Sequence, residues 1–268
     1  MHADTYYSIG STHLVCEDYA WSDRDRDGNA FVLVADGCSS SPDTDVGARL
    51  LCHSAARMLR SGHGLVLAHV IEQAAGGAEQ LGLSPDCLDA TLLAARVVAD
   101  TIRVSLAGDG AVVARRHDGA IEGWFVSFND SAPAYISYML DDDRLGAFMG
   151  AQPHRFVEDL TGHTRVASLH ADPFVLELEL PRADYDHVTL MSDGAQSFCD
   201  AAQQRLDVAR IALELAAFRS HTGQFVARRT RRFLKQARRR GWQHHDDLAV
   251  AALCSCDERP AAPIGGTP

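Results

Sequence analysis

The strongest constraint on this 268-residue chain is how little room its turns leave between apolar runs of strand length. Residues 101–107 (TIRVSLA), 111–115 (AVVAR) and 121–128 (IEGWFVSF) succeed one another across Gly108-Asp109-Gly110 and His117-Asp118-Gly119. A parallel crossover needs about a dozen residues or more, so turns this short predict hairpins and antiparallel sheet. Further strand-like runs lie at 30–35 (AFVLVA), 91–98 (TLLAARVV), 174–180 (FVLELEL), 187–191 (HVTLM) and 248–254 (LAVAALC). Helical spacing appears at 46–59, with Val46, Leu50, Leu51, Ala55, Met58 and Leu59 on one face behind the N-cap candidates Thr44 and Asp45, and again at 64–81. A second helix pair is expected at 203–219, where Leu206, Ala209, Leu213 and Ala216 share a face, and at 224–240. Paired helices between antiparallel runs predict an α+β fold, a four-layer α-β-β-α sandwich with two central antiparallel sheets and a helix pair on each side. A βαβ Rossmann arrangement does not suit that order.

A single domain over 1–254 is expected. Within it, 129–165 mixes Pro133, Pro153, several glycines and Asp141-Asp142-Asp143, which reads as an irregular flap or insertion with short elements. Residues 255–268 read as a disordered tail. With 46% hydrophobic residues the chain can bury a core, but no run reaches the ~18 to 20 apolar residues of a membrane helix. Met1-His2-Ala3-Asp4-Thr5 lacks the basic start and apolar run of a signal peptide. Seven cysteines, scattered and without a C-x-x-C pair, suggest neither a disulfide framework nor a zinc knuckle, so a cytoplasmic protein is expected.

The formal charge of −11 opposes a general nucleic-acid binder. Residues 228–240 (RRTRRFLKQARRR) dissent with eight positive charges and no acid. Val226, Thr230, Phe233, Leu234 and Ala237 make an inner stripe opposite them, so the arginines form either a solvated helix face or a docking face for an acidic or phosphorylated partner.

Acids recur where apolar runs end. Glu17 and Asp18 follow Leu14-Val15-Cys16, Asp36 follows 30–35, Asp109 lies between two glycines, Asp193 follows 187–191, and Asp246 with Asp247 precedes 248–254. Any one of them is explained by a turn. If they converge, two unit charges at 4 Å repel by about 4 kcal/mol at an effective dielectric near 20. All-oxygen sites of this kind select Mg²⁺ or Mn²⁺ over Zn²⁺, and two such ions acidify a water and hold a phosphoryl group for in-line attack. Phosphoester hydrolysis is the expected chemistry.

The strings Cys16-Glu17-Asp18, Val34-Ala35-Asp36-Gly37, Asp89-Ala90-Thr91-Leu92, Gly108-Asp109-Gly110, Met191-Ser192-Asp193-Gly194 and Asp246-Asp247-Leu248-Ala249-Val250 resemble, in order and spacing, the signature of the metal-dependent type 2C serine/threonine protein phosphatases. The resemblance runs from about Ser8 to Leu253. It implies a binuclear Mn²⁺ or Mg²⁺ centre at one end of the two sheets, and a bridging hydroxide that attacks phosphoserine or phosphothreonine in a protein that is a kinase target. Carried over, Asp36 is the bridging carboxylate and Gly37 offers its carbonyl to the second ion. Asp193 and Asp246 complete the first ion, Glu17 and Asp18 hold water ligands of the second, and Asp109 recruits a third.

Departures from the family pattern keep two other functions open. His13 stands where the family often has a phosphate-clamping arginine, which admits a pseudophosphatase that binds a phosphoprotein without turnover. The arginine-rich helix admits a two-metal phosphodiesterase or nuclease. Cys38 follows Asp36-Gly37 where eukaryotic members place histidine, leaving the general acid to His13 or a metal-bound water. Two decoys are discounted. Cys199 and Arg205 have the spacing of a cysteine-dependent phosphatase, but the loop between them has no glycine. Asp23, Asp25, Asp27 and Gly28 mimic a calcium loop, but Val34 stands where its closing glutamate belongs.

Overall fold

Phe31, Leu33 and Ala35 face one way and Val32 and Val34 the other, and all five are fully or almost fully buried. A strand apolar on both faces must be covered on both, which is the condition for a multilayered fold. The computed structural model of the protein describes residues 1–129, 133–167 and 174–255. Their elements run β1 (His2–Ser8), β2 (Tyr19–Arg24), β3 (Ala30–Ala35), α1 (Thr44–Arg60), α2 (Leu67–Gln80), β4 (Leu92–Val98), β5 (Thr101–Ala107), β6 (Gly110–Arg116) and β7 (Ile121–Phe128). After these come α3 (Asp142–Gly150), β8 (Arg155–Glu158), β9 (Thr164–Ala167), β10 (Val175–Pro181), β11 (Tyr185–Met191), β12 (Phe198–Cys199), α4 (Val208–Ala216), α5 (Phe225–Arg239), β13 (Gln243–His244) and β14 (Leu248–Cys254).

The strands form a seven-stranded sheet in the order β1-β14-β11-β6-β7-β8-β9 and a five-stranded sheet in the order β10-β5-β4-β3-β2, antiparallel throughout. Three apolar cores separate four layers. One, with Leu51, Ala55, Val70 and Ile71, joins α1 and α2 to the smaller sheet. The middle core interleaves Val32, Val34, Leu93 and Val104 with Val112, Leu190, Ala249 and Ala251 between the sheets. The last sets Ile211, Leu215, Phe225 and Phe233 of α4 and α5 on the outer face of β6, β11 and β14. The α-β-β-α order expected from the paired helices is the observed one.

Three regions differ from the sequence expectation. β1 and β2 sit at sheet edges, so HADTYYS and YAWSDR stay half-exposed and carry no apolar run to read. Within 129–165, the short elements include α3 and the strands β8 and β9, which extend the large sheet beyond β7. Residues 203–207 belong to a turn closed by a Cys199–Arg205 bridge, and α4 starts only after Asp207, whose carboxylate accepts from the amides of Ala209 and Arg210. A tertiary cap begins α5: Asp4 Oδ2, on β1, accepts from Val226 N at 2.6 Å and Ala227 N at 3.1 Å. The tail expected at 255–268 lies, beyond Ser255, outside the described residues.

Candidate active site

Asp36, Asp109 and Asp193 follow buried strands and Asp246 precedes one, while Glu17 and Asp18 lie just before the edge strand β2. Asp36 follows β3, and Thr91 ties it down: Asp36 N donates to Thr91 Oγ1 at 3.2 Å and Thr91 N to Asp36 O at 2.8 Å. Gly37 makes a bridge with Ala90, which gives the Asp89-Ala90-Thr91 string its structural role. Asp109 is carried by a turn that needs glycine on both sides, with φ of +100° at Gly108 and +134° at Gly110. Asp193 follows Ser192 after β11. Beyond it, Gly194 passes so near the Asp246-Asp247 turn that an added Cβ would stand 1.6 Å from the Asp247 carbonyl.

Buried Asp18 is joined to this turn through Ser192, whose Oγ donates to Asp18 Oδ2 at 2.7 Å and accepts from Ala249 N at 2.9 Å. Asp247 organises the opposite wall. It is 2% exposed and its carboxylate accepts from Gly10 N at 2.7 Å and Glu17 N at 2.6 Å. Residues more than two hundred positions apart are thereby locked around one cleft.

Electrostatics show that the acids share a field. Burial, then the charges of Asp18 and Asp193, hold the Asp36 carboxyl well above the ordinary range. Asp18 is raised by burial foremost, with Ser192 opposing and Asp193, Asp247 and Asp246 adding to the rise. Asp109 is pushed up to about 8, by burial and then by Asp193. The same two causes raise Asp246. Asp36, Asp18, Asp109, Asp193 and Asp246 are therefore near enough to feel one another's charge. Among the described residues no Arg or Lys forms an ion pair with any of them; only His13 does, to Asp246.

The donor set fits hard divalent cations. Every donor is an oxygen, and Asp18 Oδ1 and Asp193 Oδ1 are buried without a hydrogen-bond partner. An unpaired buried carboxylate oxygen costs several kcal/mol unless a proton or a cation takes it, by the order of magnitude of ion desolvation. Gly37 lies in close packing, where a Cβ would be 2.8 Å from Thr44 Cβ.

His13 and Glu17 stand at the rim. His13 Nδ1 is 3.1 Å from Asp247 Oδ2 and 3.6 Å from Glu17 Oε2, and Nε2 is 3.3 Å from Asp246 Oδ1. The Asp247 contact is close in distance but off the line of a hydrogen bond. Burial lowers the basicity of His13, yet Asp247, Asp246 and Glu17 outweigh it and leave the imidazole above its ordinary value. Glu17 Oε1 also accepts from Thr44 Oγ1 at 3.2 Å.

Two residues have roles that the sequence does not assign. Asp247 is an organiser, signalled only by its place in a doubled acid before a wholly apolar strand. Asp89 ties α3 and Ser137 to the loop after β3: it accepts from Ser41 Oγ at 2.8 Å, from Ser137 Oγ at 2.7 Å and, through both its oxygens, from Nη2 of Arg144 on α3 at 2.8 and 2.9 Å. Cys38 is half-buried. Burial raises its thiol pKa, but hydrogen bonds with Ser40, Tyr135 and Ser41 bring it below the ordinary value.

The decoys resolve simply. Asp200 Oδ1 accepts the amides of Ala202 and Gln204, so the Cys199–Arg205 loop turns its N–H groups on its own aspartate. Asp25 Oδ1 likewise takes the amides of Asp27 and Asn29 in the β2–β3 hairpin. His244 is buried and stacked on Phe198.

Comparison with known proteins gives this geometry a context. A family model described as protein phosphatase 2C matches residues 8–248. No curated protein sequence matches the chain. Among solved structures, the serine/threonine phosphatase Stp1 from Staphylococcus aureus superposes with a TM-score of 0.57 at 13% identity, covering 95% of each chain. The serine/threonine phosphatase of S. agalactiae does so with 0.56 at 16%, covering 94% of this chain and 99% of its own. PppA from Pseudomonas aeruginosa gives 0.55 at 18%, covering 94% and 97%. At these identities the likeness is one of fold.

Proposed function

The chain belongs to the protein phosphatase 2C family, and from that premise we propose that it is a metal-dependent phosphatase hydrolysing phosphoserine and phosphothreonine monoesters in proteins. The observation that carries the reading is the clustering of buried acids, without Arg or Lys partners among the described residues, around two orphaned carboxylate oxygens.

Asp36, Asp193 and Asp246 would hold the first of two Mn²⁺ or Mg²⁺ ions. Asp36 and the Gly37 carbonyl would serve the second, with Glu17 and Asp18 fixing its waters, and Asp109 a third. When bound, such ions supply positive charge to the phosphoryl oxygens and lower the pKa of the attacking water. The chain's own residues do the rest. Asp247 holds the loops at Gly10 and Glu17 so that the acids keep their spacing. His13, whose carboxylate neighbours raise its basicity, stands where an arginine is usual and would offer an N–H to a phosphate oxygen or, when protonated, a proton to the leaving serine alkoxide.

No helix among the described residues is long and apolar enough to cross a membrane. A cytoplasmic setting, a kinase-modified substrate and docking on the basic face of α5 complete the proposal. That face arises from the buried stripe Val226, Thr230, Phe233, Leu234 and Ala237, which leaves the arginines outward.

Hydrolysis of an aryl phosphate and a phosphothreonine peptide, measured with Mn²⁺, with chelator and in Asp193→Asn, tests this reading. Turnover is expected with Mn²⁺ alone. Turnover that survives chelator or the substitution removes the binuclear mechanism. Metal binding without turnover points to the pseudophosphatase, and cleavage of nucleic acid but not phosphopeptide to the phosphodiesterase.

A further inference from the structure

β11 and β14 leave the carboxylate centre and run to the other end of the sandwich, where a second, chemically different cluster stands. Asp186 and His187 on β11 and His221, in the loop before α5, place one ligand atom each within 4.8 Å of one another. His187 is 2% exposed, and its Nδ1 is buried without a hydrogen-bond partner. The ring meets Phe218 edge-on at 5.2 Å and His221 at 5.8 Å.

We propose that Asp186, His187 and His221 form a second metal site, for a borderline divalent ion of the zinc type, separate from the carboxylate centre. The donors decide the class: imidazole nitrogens with one carboxylate suit Zn²⁺, whereas Mg²⁺ and Mn²⁺ favour all-oxygen sets. A tetrahedral ion with bonds of about 2.1 Å separates its ligands by roughly 3.4 Å, so the cluster reaches coordination geometry by small side-chain rotations.

Protonation does not stand in the way. Burial first, then the neighbouring His221, drives His187 down to about 4, and burial likewise lowers His221, so both rings are neutral near pH 7. His2 on β1 adds a small further lowering at His221. Register puts His2 and His187 each opposite Cys254 of β14, in one row across the sheet. Arg115, opposite His187 on β6, is the charge that opposes a cation here, and Asp186 is the one that offsets it.

The test titrates Zn²⁺ into the chelator-stripped full chain, with Mg²⁺ in excess to fill the carboxylate centre, against a chromophoric zinc indicator. One equivalent is expected to bind with submicromolar affinity in the wild type and in Asp193→Asn. His221→Ala, in a surface loop, should weaken it at least about 100-fold with an unchanged circular dichroism spectrum, as loss of one of three ligands requires. Co²⁺ should give the intense visible bands of a tetrahedral site in the wild type and Asp193→Asn, and lose them in His221→Ala. Wild type that binds no Zn²⁺ under excess Mg²⁺, or His221→Ala and Asp186→Asn that titrate like wild type, overturns the site and leaves a histidine pair packed on Phe218. Zn²⁺ binding lost in Asp193→Asn instead would assign the ion to the carboxylate centre, which also overturns it. Neither outcome depends on whether the protein is a phosphatase.

Discussion

The two ends of β11 and β14 share a pair of strands and differ in almost everything else. At one end Asp193 and the Asp246-Asp247 turn meet Asp18, Asp36 and Asp109; at the other stand Asp186, His187 and His221. The length of β14 separates them by about 20 Å, at roughly 3.4 Å per residue. Burial acts first at both ends, with opposite sign: it lifts the acids and lowers the imidazoles. In each case the uncharged form gains. For an imidazole that form is the metal ligand, whereas a carboxyl must lose its proton first. The same desolvation therefore prepares one end for a cation over the whole neutral range and makes the other depend on pH.

The largest effect that would break this comparison is Asp36→Asn. It should lower Mn²⁺-dependent hydrolysis of an aryl phosphate by about 10³-fold, the scale of losing a principal electrostatic element of a site. Zinc at the histidine end should persist in the same protein, as the indicator titration would show. Gly194→Ala comes next. Its Cβ has no space beside the Asp247 carbonyl, and an overpacking cost of about 3 kcal/mol should appear in denaturant unfolding, together with loss of activity. Asp247→Asn keeps the volume but puts an amide where Gly10 N or Glu17 N needs an acceptor. Metal affinity at the carboxylate end should fall about tenfold by isothermal titration, typical of a residue that orients ligands.

The pH response gives a gentler test. The folded-state pKa values of Asp18, Asp36, Asp109 and Asp246 lie above those of the unfolded chain, so the native state binds more protons between about pH 4 and 8. Metal-free protein should therefore be most stable at the acid side of that window and lose melting temperature as pH rises toward 8. Saturating Mg²⁺ should flatten or reverse the slope. A metal-free protein whose melting temperature rises steadily over the same range would contradict a crowded carboxylate pocket. The smallest effect belongs to the far end. Asp4→Ala removes the cap of α5 and should cost about 1 kcal/mol in chemical unfolding, with aryl-phosphate turnover unchanged.

Much of the fold and of the acid cluster is legible in the sequence because two signals are strong. Central strands such as AFVLVA and LAVAALC are buried on both faces and show as unbroken apolar runs. An acid placed directly after such a run, or directly before one, is carried to the rim of a rigid sheet, which is why Asp36, Asp193 and Asp246 stand out. Edge strands have no such contrast, and β1 and β2 leave no local mark. RFVE pairs with β7, across more than twenty-five residues of chain, and TRVA pairs in turn with RFVE, a condition that no local pattern in these four-residue strands expresses.

Residue order and periodicity by themselves determined the layered antiparallel architecture and the list of acids, since both depend on local alternation and on the residue type at each strand end. Tertiary structure alone decided which carboxylates lose their water, which oxygens are left without partners, that Asp247 rather than a cation holds the loops together, and that histidines gather at the opposite end. Those outcomes depend on desolvation and on distances between segments remote in the chain. Only the folded packing sets them.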